Sequence, residues 1–356
     1  MGGYNVLIPD SSRDLHPETM LPIMDGLQQL EDVPVVMSMD RIRDMYKHTR
    51  YVSHGSYEIF QFYVNDLFRK HNIDFGVSVG LSAILEDGSI QELHHLMEEC
   101  QIPNLLFLNA RDPRVIERLD SVQASQWKFT YMVCSSRRMV ELLEQRGYGT
   151  VLHAPLGTSP RIFHPAGSVP DNAPFPLRSD DERLTQNYDV SFVGCHSVNR
   201  ERILSAVRAA GIQLAVFGDP SWQDSQLSDC YRGPCHYLQE SNTVYNHSRI
   251  TLDIPMHKSQ FRDYLSNRVS DGLASGCITL TQHNPDILSL LGSSVEALMY
   301  DDPSELPEMI QRVLDDPLPY ATASQLAGEL IRDEYRWERC LQRVLPSLEM
   351  CLIRQG

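Results

Sequence analysis

Cations and carboxylates alternate along one short stretch of the chain, residues 249–282, which reads RITLDIPMHKSQFRDYLSNRVSDGLASGCITLTQ. Lys258, Arg262 and Arg268 carry the positive charge that meets phosphate. Asp263 and Asp271 offer acceptors to the hydroxyls of a sugar. A nucleotide-sugar needs both kinds of group, so Arg249, Lys258, Asp263, Asn267, Arg268 and Asp271 form one candidate donor-binding set. The bland alternative is a solvated loop whose charges only face water.

The elements around these residues decide whether they can converge. Residues 250–254 are an apolar, strand-like run stopped by Pro255. A polar loop follows, Ser266 or Asn267 can cap a short helix through Ala274, and Gly276 ends it. Residues 277–280 are the next apolar strand. Strand, loop, helix and strand make an α/β half-unit, and ligands of such sheets sit outside the carboxyl ends of the strands. Further upstream, Gly194 closes the strand of YDVSFVG and precedes Cys195, His196 and Ser197, then a helix with Arg200 and Arg202. A Gly-terminated strand feeding a helix suits an anion, because the helix dipole and its first N–H groups favour negative charge. Gly194 therefore joins the donor-binding candidates, although a tight turn alone would also explain it. The G-x-G-x-x-G fingerprint is absent, which speaks against a nicotinamide dehydrogenase.

Strand-like and helix-like runs alternate through the first half, ending with a helix stopped by Gly147 and a strand at 150–153. Such β/α alternation implies a mostly parallel sheet. The stretch 155–183 breaks the rhythm with prolines at 155, 160, 165, 170, 174 and 176. The alternation restarts at 188, and the tail 324–352 reads as helical with Trp337 inside it. The expected division is an N-terminal domain over 1–165, a Pro-rich linker over 166–187, a second β/α domain over 188–330 and a closing helix over 331–356.

RVSDGLASGCITLT resembles the R-x-F-E-x-x-A-x-G-x-x-x-L segment of the CgeB-like (spore-maturation-protein-like) glycosyltransferases, relatives of the group-1 glycosyltransferases. Asp271 stands where that family has a Glu that holds the donor's ribose, and Asp263 lies eight residues earlier, mimicking the E-x7-E spacing. Ser270 in place of a Phe is a departure. YMVCSSRRMVELLEQRGYGTVLHAPLGTSPRIFHP resembles the end of the family's N-terminal domain, and YDVSFVGCHSVNRERILSAVRAAGIQLAVFGDPSW its first donor-side unit. YRGP, NTVYNHSRITLDIP, YDDPSEL and DEYRWERCLQRVL continue the likeness to the end of the chain. The resemblance implies a GT-B fold: α/β, with two Rossmann-like domains facing a cleft and a C-terminal helical tail that packs across them. It implies an enzyme that moves a sugar from a nucleotide-sugar to a hydroxyl of a glycan, protein or small molecule. No catalytic metal and no other cofactor are implied.

In this family context the N-terminal domain supplies the acceptor site and, in inverting members, a general base. Asp10, Asp14, His16, His54 and Asp112 are the candidates. His16, just past the first strand, ranks ahead of the others, and Asp112 of NARDP is kept beside it as catalytic. Cys230-x4-Cys235-His236 lacks a second close pair that would complete a zinc site. The net charge, 31 minus 47 or −16, repels nucleic acid. No apolar run approaches the ~20 residues of a membrane span, and the first residues lack a signal peptide's pattern. Eight scattered cysteines read as reduced thiols in a cytoplasm. Two other readings share the fold: a non-catalytic module that binds a glycan or partner, and a nucleotide-sugar epimerase or a phosphorylase.

Overall fold

The computed structural model describes residues 3–10, 17–38, 55–79, 88–108, 131–148, 150–168, 170, 181–256 and 264–355. The chain divides into two units, Met1–Pro155 with Trp337–Gly356, and Leu156–Arg336. In the first unit the order is β1 (Asn5–Asp10), α1 (Pro17–Gln29), β2 (Val33–Ser38), α2 (Gly55–His71), β3 (Phe75–Val79), α3 (Gly88–Glu99), β4 (Asn104–Leu108), β5 (Tyr131–Cys134), α4 (Arg137–Gln145) and β6 (Val151–His153). All the pairings are parallel, in the order β2-β1-β3-β4-β5-β6. Local chemistry explains individual elements. Ser136 caps α4 by accepting the Met139 N–H at 3.3 Å, Met139 and Leu143 turn inward one turn apart, and Gly147 at φ 77° follows the helix end.

The second unit runs α5 (Glu182–Thr185), β7 (Tyr188–Val193), α6 (Val198–Ala209), β8 (Leu214–Phe217), a 3-10 turn (Pro220–Asp224), β9 (Tyr231–Gly233), α7 (Tyr237–Asn246), β10 (Ser248–Asp253), α8 (Asn267–Ala274), β11 (Ile278–Gln282), α9 (Pro285–Leu291), β12 (Met299–Tyr300), α10 (Leu306–Asp315) and α11 (Leu318–Glu334). Its sheet is parallel throughout, in the order β12-β11-β10-β7-β8-β9. Counted within the unit, that is 6-5-4-1-2-3, the doubly wound order whose reversal lies between its first and fourth strands. Here those strands are β7 and β10. Val190, Phe192, Leu214, Val216, Ile250 and Leu252 are buried on strands covered on both faces, as a parallel sheet requires. Helix α8 lies close on this sheet because Gly272 has no side chain. A Cβ there would stand 2.5 Å from Thr279 Oγ1 and 2.9 Å from Thr251 Cγ2.

The division differs from the one expected. The first unit stops at Pro155, not 165, because the following residues pack into the second unit. Leu156, Ile162 and Phe163 are buried, Phe163 lies 5.7 Å from Tyr237, and Asn242 accepts from the His164 N–H at 3.2 Å. The tail is not one helix. It breaks at Tyr335 and Arg336, where the Tyr335 carbonyl accepts from the Thr158 N–H at 2.9 Å and Arg336 bridges Thr158. The terminal helix, Trp337–Gln355, then belongs with the first unit and packs on α1, where Gly26 leaves room for Trp337. Strand β9 and helix α3 are additions to the sequence reading. No helix among the described residues is long and apolar enough to cross a membrane.

Candidate functional site

The carboxyl ends of β7 and β10 meet where the strand order reverses, and the side chains gathered there come chiefly from the segments that follow β7, β8 and β10. Gly194 follows β7 directly, and Gly218, which follows β8, stands opposite it. The two backbones lie so close that a Cβ on Gly218, at φ 147°, would stand 2.0 Å from the Gly194 carbonyl oxygen. Trp222, fully buried, donates its indole N–H to that same carbonyl at 2.9 Å and packs edge-on against Phe192. Asp219 holds the loop from the other side. One oxygen accepts the His196 N–H at 2.6 Å, and the other the Ser221 N–H at 2.9 Å. Burial pushes the Asp219 carboxyl upward, but the hydrogen bonds from Ser221 and His196 more than offset it and hold it below its ordinary range. In a dinucleotide-binding Rossmann domain an acid after the second strand takes a ribose hydroxyl. Asp219 occupies that place and spends both oxygens on the protein's own loops.

Two arginines reach the ends of the central strands. Arg200, 2% exposed, donates from Nε to the Ile254 carbonyl at 2.9 Å and from Nη1 to the Cys195 carbonyl at 2.7 Å. Arg268 donates from Nε to the Val193 carbonyl at 3.1 Å and from Nη1 to Asp253 at 2.9 Å. The guanidinium carbons stand 5.3 and 5.7 Å from the centre of the Phe192 ring, close enough for cation–π attraction. Asp253 is completed by the Thr281 hydroxyl at 3.1 Å. Arg268 keeps a fifth of its side chain exposed, and its Nη2 has no partner among the described residues. A cation braced on three sides with one edge left over is equipped to take an anion. Ser266 caps α8 at its Val269 N–H, which brings Asn267 and Arg268 into the first turn of that helix.

The structure separates the other donor-binding candidates. Arg249 lies at the amino end of β10, paired with Asp189 at 3.2 Å and the Leu314 carbonyl at 2.9 Å. Strands in a parallel sheet run the same way, so Arg249 stands at the edge opposite Gly194 and drops out of the site. Asp271 is 2% exposed, and its carboxylate is already filled: Thr158 donates to Oδ1 at 2.6 Å and the Tyr237 hydroxyl to Oδ2. The expected ribose contact is thereby corrected to an internal one, in which Asp271 fastens the segment at Thr158 and the start of α7 onto α8. Ser270 is also internal, its hydroxyl bonded to the Ser266 and Asn267 carbonyls at 3.2 and 3.1 Å. Lys258, Arg262, Asp263, His16, Asp14, His54 and Asp112 lie outside the described residues, and Asp10 ends β1. Among the described residues no three His, Cys, Asp or Glu side chains converge to hold a metal. Cys235 is instead a half-buried residue whose thiol is pushed up to about 12, first by desolvation and then by Glu240.

Asp253, Asp219 and His196 lie at this edge without having been singled out from the sequence, and a signal for the first was present: a carboxylate that ends an apolar strand sits at the ligand edge. The fold these elements make is GT-B, two Rossmann-like α/β domains. Residues 200–346, which include both arginines, match a family model described as glycosyl transferase-like. Three solved structures are similar. One is an α,α-trehalose 6-phosphate synthase from Burkholderia multivorans, with 12% identity, all of both chains covered and a TM-score of 0.61. A second is a UDP-forming α,α-trehalose-phosphate synthase from Burkholderia xenovorans, with 14% identity, 98% of this chain and 99% of that one covered and a TM-score of 0.57. The third is TarM, with 10% identity, 81% and 58% covered and a TM-score of 0.53. No curated protein matches the sequence.

Proposed function

We propose that the chain is a glycosyltransferase of the CgeB-like group, moving a sugar from a nucleoside-diphosphate sugar to a hydroxyl acceptor. Arg268 carries this reading: a braced guanidinium with an uncommitted edge, at the point between β7 and β10 where a doubly wound sheet takes its ligand. The match of residues 200–346 and the likeness to structures described as sugar-phosphate synthases support it. In the reaction the acceptor oxygen bonds to the sugar's anomeric carbon as the bond to the diphosphate oxygen breaks. Negative charge builds on the leaving diphosphate, and fixed cations beside it lower the barrier because they need no reorganisation at that moment. Gly194, Asn267, Arg268 and Lys258 are assigned to the diphosphate and Asp263 to the sugar, with His16 or Asp112 of the first unit taking the acceptor's proton. Asp271 positions α8. The reading invokes no metal and places the protein in a cytoplasm.

The test is a screen of the purified full chain with uridine, guanosine, cytidine and thymidine diphosphates and their sugars. Binding of at least one diphosphate, with release of that diphosphate from its sugar conjugate in the presence of an acceptor mixture, is expected. Absence of binding by all of them at millimolar concentration contradicts the reading.

A further inference from the structure

His196 follows Gly194 by two residues at the carboxyl tip of β7, and the loop fixes it closely. Its ring stands edge-on to Trp222 at 4.8 Å, its backbone N–H is held by Asp219 at 2.6 Å, and its Nε2 lies 2.8 Å from Glu201 Oε2. Glu201 is held in turn, because its other oxygen accepts the Gln226 N–H at 2.8 Å. That amide and then the histidine keep the Glu201 carboxyl below its ordinary range. The ring keeps about a quarter of its surface exposed, at 24%, and Nδ1 has no partner among the described residues.

We propose that His196 is a further donor-site residue, which contacts the diphosphate through Nδ1 while Glu201 holds Nε2. The inference rests on the donor reading above and adds a residue to it. With Nε2–H directed at Glu201, Nδ1 is an acceptor in the neutral ring and a donor in the protonated one. Only the protonated ring offers phosphate a hydrogen bond, and the neutral ring presents it a lone pair. The charged groups facing His196 among the described residues are Glu201 and Arg200 on α6, Asp219 after β8, and the Arg268–Asp253 pair beside Gly194. Arg268 and Arg200 are charged throughout the neutral range, and Asp253 is paired at 2.9 Å.

The experiment measures calorimetric affinity for whichever of uridine, guanosine, cytidine or thymidine diphosphate binds tightest, at pH 6. Wild type, His196→Gln and Glu201→Gln are compared, so the ligand's own titration cancels in the ratios. At pH 6 the wild type is expected to bind about ten-fold tighter than His196→Gln, the scale of one charge-assisted hydrogen bond. Glu201→Gln, which removes the carboxylate charge beside Nε2, is expected to lower affinity in the same direction, and it answers the question if His196→Gln fails to fold. Affinities that match wild type in both variants overturn the role of His196 and leave the donor site standing. If no diphosphate binds the wild type, the donor reading falls, and this inference with it.

Discussion

Asp271 shows how far a residue's type can be read without its partners. Its spacing suggested a sugar-binding acid, and its hydrogen bonds make it an internal fastener instead. The decisive partner, Thr158, lies 113 residues away along the chain, and no local pattern announces it. Asp271→Asn is therefore expected to cost stability before affinity. An amide accepts through one oxygen where the carboxylate accepts two hydroxyls, at about 1–3 kcal/mol for a buried bond lost. Thr158→Val should reproduce much of that loss, because it removes one of the same bonds. Denaturant melts of both variants, alongside nucleotide titration of the folded proteins, check this. A wild-type melt in Asp271→Asn with lost nucleotide affinity would restore the ribose role. Asp271→Glu adds a methylene to a filled, buried position and is expected to destabilise by about 1–3 kcal/mol. Arg249 was legible in principle. A residue that opens a strand of a parallel sheet lies at the edge away from the ligand, so strand direction alone excludes it.

Among the elements, the strands of the second unit were the easiest to read. YDVSFV, ITLDI and ITLT are apolar runs bounded by Gly or Pro, and a strand covered on both faces has to look like that. β9 escaped because three half-exposed residues carry no period; only its pairing with β8 makes it a strand. The break at Tyr335 escaped for a related reason, since it is made by the contact with Thr158 and not by a Gly or Pro. Close approach between elements gives sharper expectations. A Cβ on Gly218 would meet the Gly194 carbonyl, and its φ of 147° is also unfavourable to a side chain, so Gly218→Ala strains the loop that forms the site. A Cβ on Gly328 would stand 2.3 Å from the Leu273 carbonyl, so Gly328→Ala pushes α11 off α8. Both variants are expected to lose more than the ~1–3 kcal/mol of ordinary overpacking, because backbone, not a flexible side chain, is in the way. Gly211→Ala has open space but a positive φ, and its loss should be confined to backbone strain. A melt of Gly328→Ala that matches wild type would contradict the packing of α11 on α8.

For the whole molecule, burial predicts how the chain answers to reagents and pH. Cys277 and Cys340 are buried thiols pushed up to about 12, and burial raises Cys134 further, while Cys195 and Cys100 are exposed. At pH 8 a thiol with a pKa of about 12 is ionised in only about one molecule in ten thousand. Iodoacetamide under native conditions should therefore label Cys195 well ahead of Cys277 and Cys340, as peptide mass spectrometry would read. His164 is held below its ordinary range, first by burial and then by Arg332. The unfolded chain takes that proton more readily than the folded one, so stability is full above about pH 6.5 and falls as pH drops below it. His164→Gln should flatten that acid limb in thermal melts. The central claim, a nucleotide-sugar donor held where β7 and β10 part, is tested most directly by one calorimetric comparison. The tightest-binding nucleoside diphosphate is titrated into wild type, Arg268→Ala and Arg249→Ala. Arg268→Ala is expected to lose about 1.5–3 kcal/mol, ten-fold or more, while Arg249→Ala at the opposite edge binds as wild type. Equal affinity in wild type and folded Arg268→Ala would contradict it.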